Sequence, residues 1–422
     1  MISLRKSLVA VTVGAALGGL ASGAIAGGFS IGTQSGSGTG NAFAGGAAAT
    51  DDASVAWSNP AGLMQLPSGK HVAGALHLLW PSFKFQNVGS TGLFGVAGTG
   101  DGGDGGGLAF VPNAFFAMDI NPKFRFGLAV NVPFGLKTEY DAGWRGQPMA
   151  LKSEIKTVNI NPSIAYNVGD SFSVGVGASI QKIEAELSRF TGAAATGNVI
   201  LEADDVGYGF NFGLLFKPST ATRLGFAYRS SIKYDLEGTV AFTGPAAGAL
   251  GLNGNVRADL RVPDSASFSV FHVLNPKWDL MGDITWTGWS SVQNLVVYRT
   301  SGAAAGAVLT TLPFLWKDTL RYSAGANYKW NGNTKLRFGV ALDETPTNDR
   351  TRTPRLPDED RRWVAIGVQH RFSKAAVLDL GYAHEFIKDA RINATEAGIP
   401  GVLNGNFSNK ADIVSIQYSH SF

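Results

Sequence analysis

Cysteine is absent from this chain of 422 residues. That excludes a disulfide framework and a thiolate metal site together, so stability must come from other pairing. An excess of charge is also missing: 35 Lys and Arg face 32 Asp and Glu, a balance that points to no nucleic-acid partner. HExxH does not occur, and the GxSxG match at Gly28–Gly32 lies in a turn-rich stretch with no strand pattern before it, so the six histidines and the serines make no zinc-protease helix and no hydrolase elbow. A Ser–His pair assembled across strands stays as the one lipid-hydrolase reading; the expectation is a protein without catalytic residues, metal or cofactor. After residue 26, no apolar run reaches the roughly 18 residues of a spanning helix.

Alternation is what the chain has in quantity. Val414, Ile416, Tyr418 and Phe422 share one parity, and Ser415, Gln417, Ser419 and Ser421 share the other. Leu378, Leu380, Tyr382 and Phe386 alternate in the same way with Asp379, Gly381, Ala383 and Glu385. Val206, Tyr208, Phe210, Phe212, Leu214 and Phe216 alternate with Asp205, Gly207, Gly209, Asn211 and Gly213. Successive strand side chains point to opposite faces, so each segment suits a wall between hydrocarbon and a polar interior. Short turn signals at 121–123, 169–170, 217–219, 275–277, 331–333 and 373–374 separate such runs. Longer Gly/Ala/Asn-rich or charged stretches lie at 89–107, 137–152, 188–203, 241–255, 298–313, 345–360 and 391–410. Short turns on one side and long loops on the other predict a transmembrane antiparallel β-barrel of about fourteen strands in a Gram-negative outer membrane. The hydrophobic fraction of 45% and mean hydropathy of +0.06 are those of an ordinary soluble protein. A tube with lipid outside and water inside averages to the same values.

Arg5 and Lys6 precede an apolar stretch over residues 8–20, and Ala24-Ile25-Ala26 supplies the small-residue pattern of signal-peptide cleavage after Ala26. A membrane anchor is the alternative, but Gly, Ser, Thr and Asn crowd in from Gly27 onward. The expected organisation is a signal peptide over residues 1–26, a plug over 27–69 and a barrel over 70–422. The plug segment is turn-rich, which also suits an unstructured leader. Phe29, Phe43, Val55, Trp57, Leu63 and Met64 give it apolar surface to pack inside a lumen.

Asp51-Asp52-Ala53 followed by Asn59-Pro60-Ala61-Gly62 resembles the N-terminal hatch of the FadL-type long-chain fatty acid transporters. The blocks Tyr140-Asp141-Ala142-Gly143-Trp144-Arg145-Gly146, Asp343-Glu344-Thr345-Pro346 and Arg355-Leu356-Pro357-Asp358-Glu359-Asp360-Arg361-Arg362-Trp363 are similar to the same family. The resemblance implies a monomeric fourteen-strand barrel, plugged by a hatch, that passes hydrophobic compounds inward without an energy source of its own. Its partners would be a long-chain fatty acid, outer-membrane lipid and lipopolysaccharide. The family also contains carriers of aromatic hydrocarbons, which makes such compounds the alternative cargo.

Residue roles follow from the same resemblance. Asn59, Pro60 and Ala61 fall at the hatch's functional turn and would gate the path. Two extracellular loops would capture substrate at low affinity; their apolar residues here are Phe190, Val199, Ile200 and Leu201, and Phe242, Leu250 and Leu252. The family's third strand kinks inward and opens the wall sideways. Here Pro133 interrupts the third predicted strand, so Asn131, Pro133, Phe134 and Gly135 mark the exit, although an ordinary bulge also accommodates proline. A carboxylate head group needs a cation or a donor. By parity, Arg223, Arg229, Arg321, Lys329, Lys335 and Arg337 point into the lumen, as do the acids Asp205, Asp279, Asp283, Asp343 and Glu385. Parity does not select the ligand among them.

Overall fold

The computed structural model describes residues 27–422, so the signal-peptide expectation lies outside the described residues. Twenty strand segments form one sheet, arranged as fourteen antiparallel staves of a closed barrel. In chain order they are β1 (Lys70–Asn87), β2 (Ala109–Asn121), β3 (Phe124–Asn131) continued by β4 (Gly135–Glu139), β5 (Lys152–Gly169), β6 (Phe172–Phe190) and β7 (Asn198–Phe216). The next staves are broken in two: β8 (Thr222–Arg229) with β9 (Ile232–Phe242), β10 (Gly254–Val262) with β11 (Ser265–Val273), β12 (Trp278–Thr287) with β13 (Asn294–Arg299), and β14 (Val308–Pro313) with β15 (Thr319–Lys329). The last are β16 (Thr334–Asp343), β17 (Arg361–Arg371), β18 (Ala376–Ile387) continued by β19 (Ala390–Glu396), and β20 (Ile399–Ser421). Closure comes from β20 pairing with β1, from His71 against Ser421 to Asn87 against Gly405. No edge is left along that seam, which is the condition for a sheet in hydrocarbon.

Alternation decides which way each residue faces. Val414, Ile416 and Tyr418 are exposed on the outside while Ser415 and Gln417 are fully buried within. Trp330, Phe372 and Phe422 stand exposed beside the short turns, an aromatic rim of the kind found at a membrane interface.

Above the hydrocarbon the staves change sense. In the seventh stave Leu224, Phe226 and Tyr228 share the outward parity; after Ser230 and Ser231 it is Lys233, Asp235 and Glu237 that face out, with Ile232, Tyr234 and Leu236 buried inside. The eighth does the same across Pro263 and Asp264, with Arg257, Asp259 and Arg261 outside and Val256, Ala258, Leu260 and Val262 within. A break that shifts the phase by one residue exchanges the two faces of a strand. The result is an upper barrel that is charged outside and apolar inside.

Loop lengths are corrected by this extension. The expected loop at 188–203 is only residues 191–197: β6 runs to Phe190, and Val199, Ile200 and Leu201 belong to β7. Phe242 ends β9, the stretch at 298–313 holds β14, and 391–410 is largely a hairpin of β19 and β20. Period-two patterning persists in the upper staves but with its phase reversed, apolar residues facing the lumen; where it runs into Gly/Ala-rich turns the strand reads as loop.

Candidate functional site

Residues 27–69 pack inside the barrel, and glycines of the wall make that possible. A methyl group on Gly213 would lie 1.8 Å from Asn59 Oδ1, one on Gly225 2.0 Å from Ala47 O, and one on Gly339 2.1 Å from the Asn41 carbonyl carbon. Gly175 meets Pro60 and Ala61 in the same way, and Gly367 and Gly381 meet Thr39 and Gly40. Only glycine allows backbone to approach backbone this closely.

Discrete polar bonds then fix the segment. Asn59, buried, donates from Nδ2 to Ala47 O at 2.7 Å and Leu214 O at 3.0 Å, while its Oδ1 accepts from Ala61 N at 3.0 Å. Pro60 begins a short 3-10 turn, Pro60–Gln65, and Ala61 O accepts from Ser173 Oγ. Arg125 donates to Leu63 O and Leu66 O. Asp51 pairs with Arg337 at 2.9 Å and Lys335 at 3.4 Å. Burial raises its carboxyl, but the two cations outweigh that and hold it well below the usual carboxylate range.

At the expected exit, Asn131 ends β3 opposite Asn159 and Gly135 resumes opposite Lys156. One residue more stands on this side than on β5, so the stave bulges inward at Val132, Pro133 and Phe134. On its other side, pairing with β2 stops at Ala114 against Val130. The wall between the second and third staves is therefore unpaired above that point, and the hatch covers it. Ile31 N donates to Pro133 O at 2.8 Å, Gly135 N donates to Phe29 O at 2.9 Å, and Ser30 bridges Phe134 antiparallel. Gln34 donates to Val132 O and accepts from Asn131 Nδ2. Phe29 sits in an aromatic cluster with Phe134, Trp289 and Trp316, at centroid distances of 5.7, 5.0 and 5.7 Å. Trp289 and Trp316 come from the breaks in the ninth and tenth staves.

Beside this seal lies a cavity of about 300 Å³ lined by the hatch, by Pro133 and Phe134, and by Arg229, Arg321 and Arg337. Most lumen cations are already neutralised. Lys329 pairs with Asp279 at 2.7 Å and Arg337 with Asp379 and Asp51, while Arg321 approaches Asp343 at 4.0 Å and donates to Ala42 O. Arg223 donates to Ala48 O, lies 4.0 Å over the Phe271 ring and does not line the cavity. Arg229 differs from Lys329, Arg321 and Arg337 in its pairing, and from Arg223 in lining the cavity. It donates to Trp57 O at 3.0 Å and Ser179 Oγ at 3.2 Å and stacks on Trp57, and no carboxylate pairs with it among the described residues.

The apolar residues expected at the mouth are brought partly together. Val199, Leu201 and Phe242 pack on the apolar lining of β9 and β10, whereas Leu250 is exposed on the loop between those strands with Leu252 beside it. Phe190 lies at the top of β6, hydrogen-bonded to Gln147 O. Sequence reading gave Phe29 only as apolar surface of the plug and missed Gln34, Trp289 and Trp316. The glycines at lumen parity were the available signal for the hatch's footprint. No periodic pattern marks two tryptophans in strand breaks.

A closed barrel, a lumen segment seated on glycine, an apolar upper bore and a sideways break define an outer-membrane channel for hydrophobic solutes. The chain belongs to the outer membrane protein transport protein family (OMPP1/FadL/TodX), whose model matches residues 18–422. It is 27% identical over 409 residues to the long-chain fatty acid transport protein of Escherichia coli K12, covering 87% of this chain and 89% of that one. Outer membrane protein P1 of Haemophilus influenzae Rd is 27% identical over the full length of both chains. The crystal structure of a Pseudomonas aeruginosa FadL homologue superimposes with a TM-score of 0.86 at 27% identity, covering 94% of this chain and 100% of that one. The Pseudomonas putida toluene transporter TodX shares the fold, with a TM-score of 0.68 at 18% identity over 91% of this chain and 98% of that one.

Proposed function

We propose that this protein carries long-chain fatty acids across the outer membrane by diffusion. The acyl chain enters the apolar upper barrel past Val199, Leu201 and Phe242, and the carboxylate is held at Arg229 in the inner cavity. The fatty acid leaves sideways between the second and third staves once Phe29, Ser30 and Ile31 lift away. Each methylene buried is worth about 0.8 kcal/mol, so capture by an apolar bore is easy and release is the step that needs a gate. The hatch turn at Asn59, Pro60 and Ala61 transmits that release, because it is tied to both the wall and Ala47. On the same reading, residues 1–26 are removed at export, residues 27–69 act as one unit, and the barrel works as a monomer without catalysis.

The single observation that carries the proposal is the cavity's unpaired Arg229 lying in the same space as the sealed exit. Aromatic hydrocarbons are the second reading, favoured by the ring cluster around Phe29. Liposomes containing the purified protein separate the two: labelled oleate is expected to enter well above protein-free controls, toluene less so, and sucrose not at all. Sucrose leakage equal to oleate entry, or oleate entry at the control rate, would refute the proposal.

A further inference from the structure

At the start of the described chain, Gly27 and Gly28 run into a buried group of acids. A side chain on Gly27 would lie 2.8 Å from Glu344 O and 3.6 Å from Asp343 Oδ1. Gly28 N donates to Asp358 Oδ2 at 2.9 Å. Around them Asp343, Asp358 and Glu385 are 6%, 4% and 0% exposed. Among the described residues their cations are too few: Arg361 is shared between Asp358 and Glu385, and Arg321 reaches Asp343 only at 4.0 Å. Asp343 Oδ2 and Glu385 Oε1 are buried with no hydrogen-bond donor among the described residues. A buried carboxylate without a partner is costly enough that a further cation or a proton is required. Burial pushes the Asp358 carboxyl up in spite of Arg361 and Thr345, in keeping with that shortage.

We infer that the missing cation is the chain's own α-ammonium, created at Gly27 by cleavage after Ala26, and that it locks the hatch over the exit. The inference rests on that cleavage reading, not on the identity of the substrate. Cleavage converts a neutral amide nitrogen into a positive group beside Asp343, and the chain reaches the sealing segment Phe29–Ser30–Ile31 two residues later. The uncleaved precursor has no such charge there, so sealing follows export. Glycine at position 27 fits because Glu344 O leaves no room for a side chain.

The test uses protein purified from outer membranes. N-terminal sequencing should return Gly27. Modification by an N-terminus-selective aldehyde, followed against pH in folded and urea-unfolded protein, reads the state of the amine. An unconstrained α-amine titrates at about pH 8. Burial alone lowers that value and pairing with carboxylates raises it, so the folded protein is expected to react at least tenfold more slowly at pH 8 and to titrate above the unfolded chain. Asp343→Asn combined with Glu385→Gln should bring the titration back to or below the unfolded value, with barrel folding verified by heat-dependent electrophoretic migration. If that pair does not fold, Asp343→Asn alone should lower the titration. An amine titrating at or below the unfolded value in the parent protein overturns the inference and leaves the transport reading intact. A first residue other than Gly27 overturns it together with the cleavage site.

Discussion

Replacing Phe29 by alanine tests the seal most directly. Docking of residues 28–31 gains two backbone hydrogen bonds, at 2.8 and 2.9 Å, each worth about 1 kcal/mol net. The 3% exposed Phe29 ring adds roughly 3 kcal/mol by its burial, and its contacts with Trp289 and Phe134 about 1 kcal/mol more. Ordering four residues costs about 4–8 kcal/mol. The two sides nearly cancel, so the strand is poised for release instead of being welded in place. Phe29→Ala removes about 4 kcal/mol and is expected to shift the balance toward the undocked state roughly a thousandfold. Because the chain has no cysteine, Ser30→Cys gives a unique spin-label position. The labelled parent should show immobilised and mobile components together and the Phe29→Ala protein almost only the mobile one, with faster oleate transfer in liposomes. An unchanged spectrum together with an unchanged transfer rate would refute the account of the gate.

Arg229→Gln is expected to weaken oleate uptake about tenfold, the scale of a hydrogen bond to a charged group, while toluene entry stays within twofold; equal losses for both would deny it the head-group role. Asn59→Ala removes three hydrogen bonds at a buried turn and should destabilise the hatch by about 2–4 kcal/mol, seen as faster proteolysis of residues 27–69 with the barrel intact. Asp51 has a lowered folded-state value, so its pairing with Lys335 and Arg337 contributes fully above its unperturbed value of 3.8 and is lost as pH falls below it. Hatch protection should therefore be flat from neutral pH to about pH 5, decline on further acidification, and lose that step in Asp51→Asn. Gly213→Ala, whose added methyl group meets Asn59 Oδ1, should dislodge the hatch turn and raise proteolysis without altering barrel closure.

Much of the barrel was legible because a stave in hydrocarbon must alternate, and Leu378 to Phe386 or Val206 to Phe216 do so without interruption. The six short turns were legible for the same reason, each marked by Asn, Pro, Gly or Lys between two alternating runs. Above the membrane the rule reverses, so Val199 to Leu201 and the stretch holding β14 read as loop. Pro133 announced its break, since proline cannot join a ladder and a closed wall has no edge to hide it. What covers that break was invisible: Phe29 and Pro133 are about a hundred residues apart in sequence, and their contact follows from tertiary placement. Arg229 stands out from the other lumen cations only when each partner is located, because charge pairing across a bore leaves no periodic trace.

The glycine surface under residues 27–69 has a mechanical consequence. Interlocked side chains act as teeth, and parting them requires many rotamers to change together. Where the bed is smooth it offers few teeth; there the insert is held by separate polar pins at Asn59, Arg125, Arg223, Arg229, Arg321 and Arg337 and by the strand at Phe29. Pins can be drawn singly. A passing molecule therefore needs to loosen only the one in its way, and the tube keeps its shape throughout.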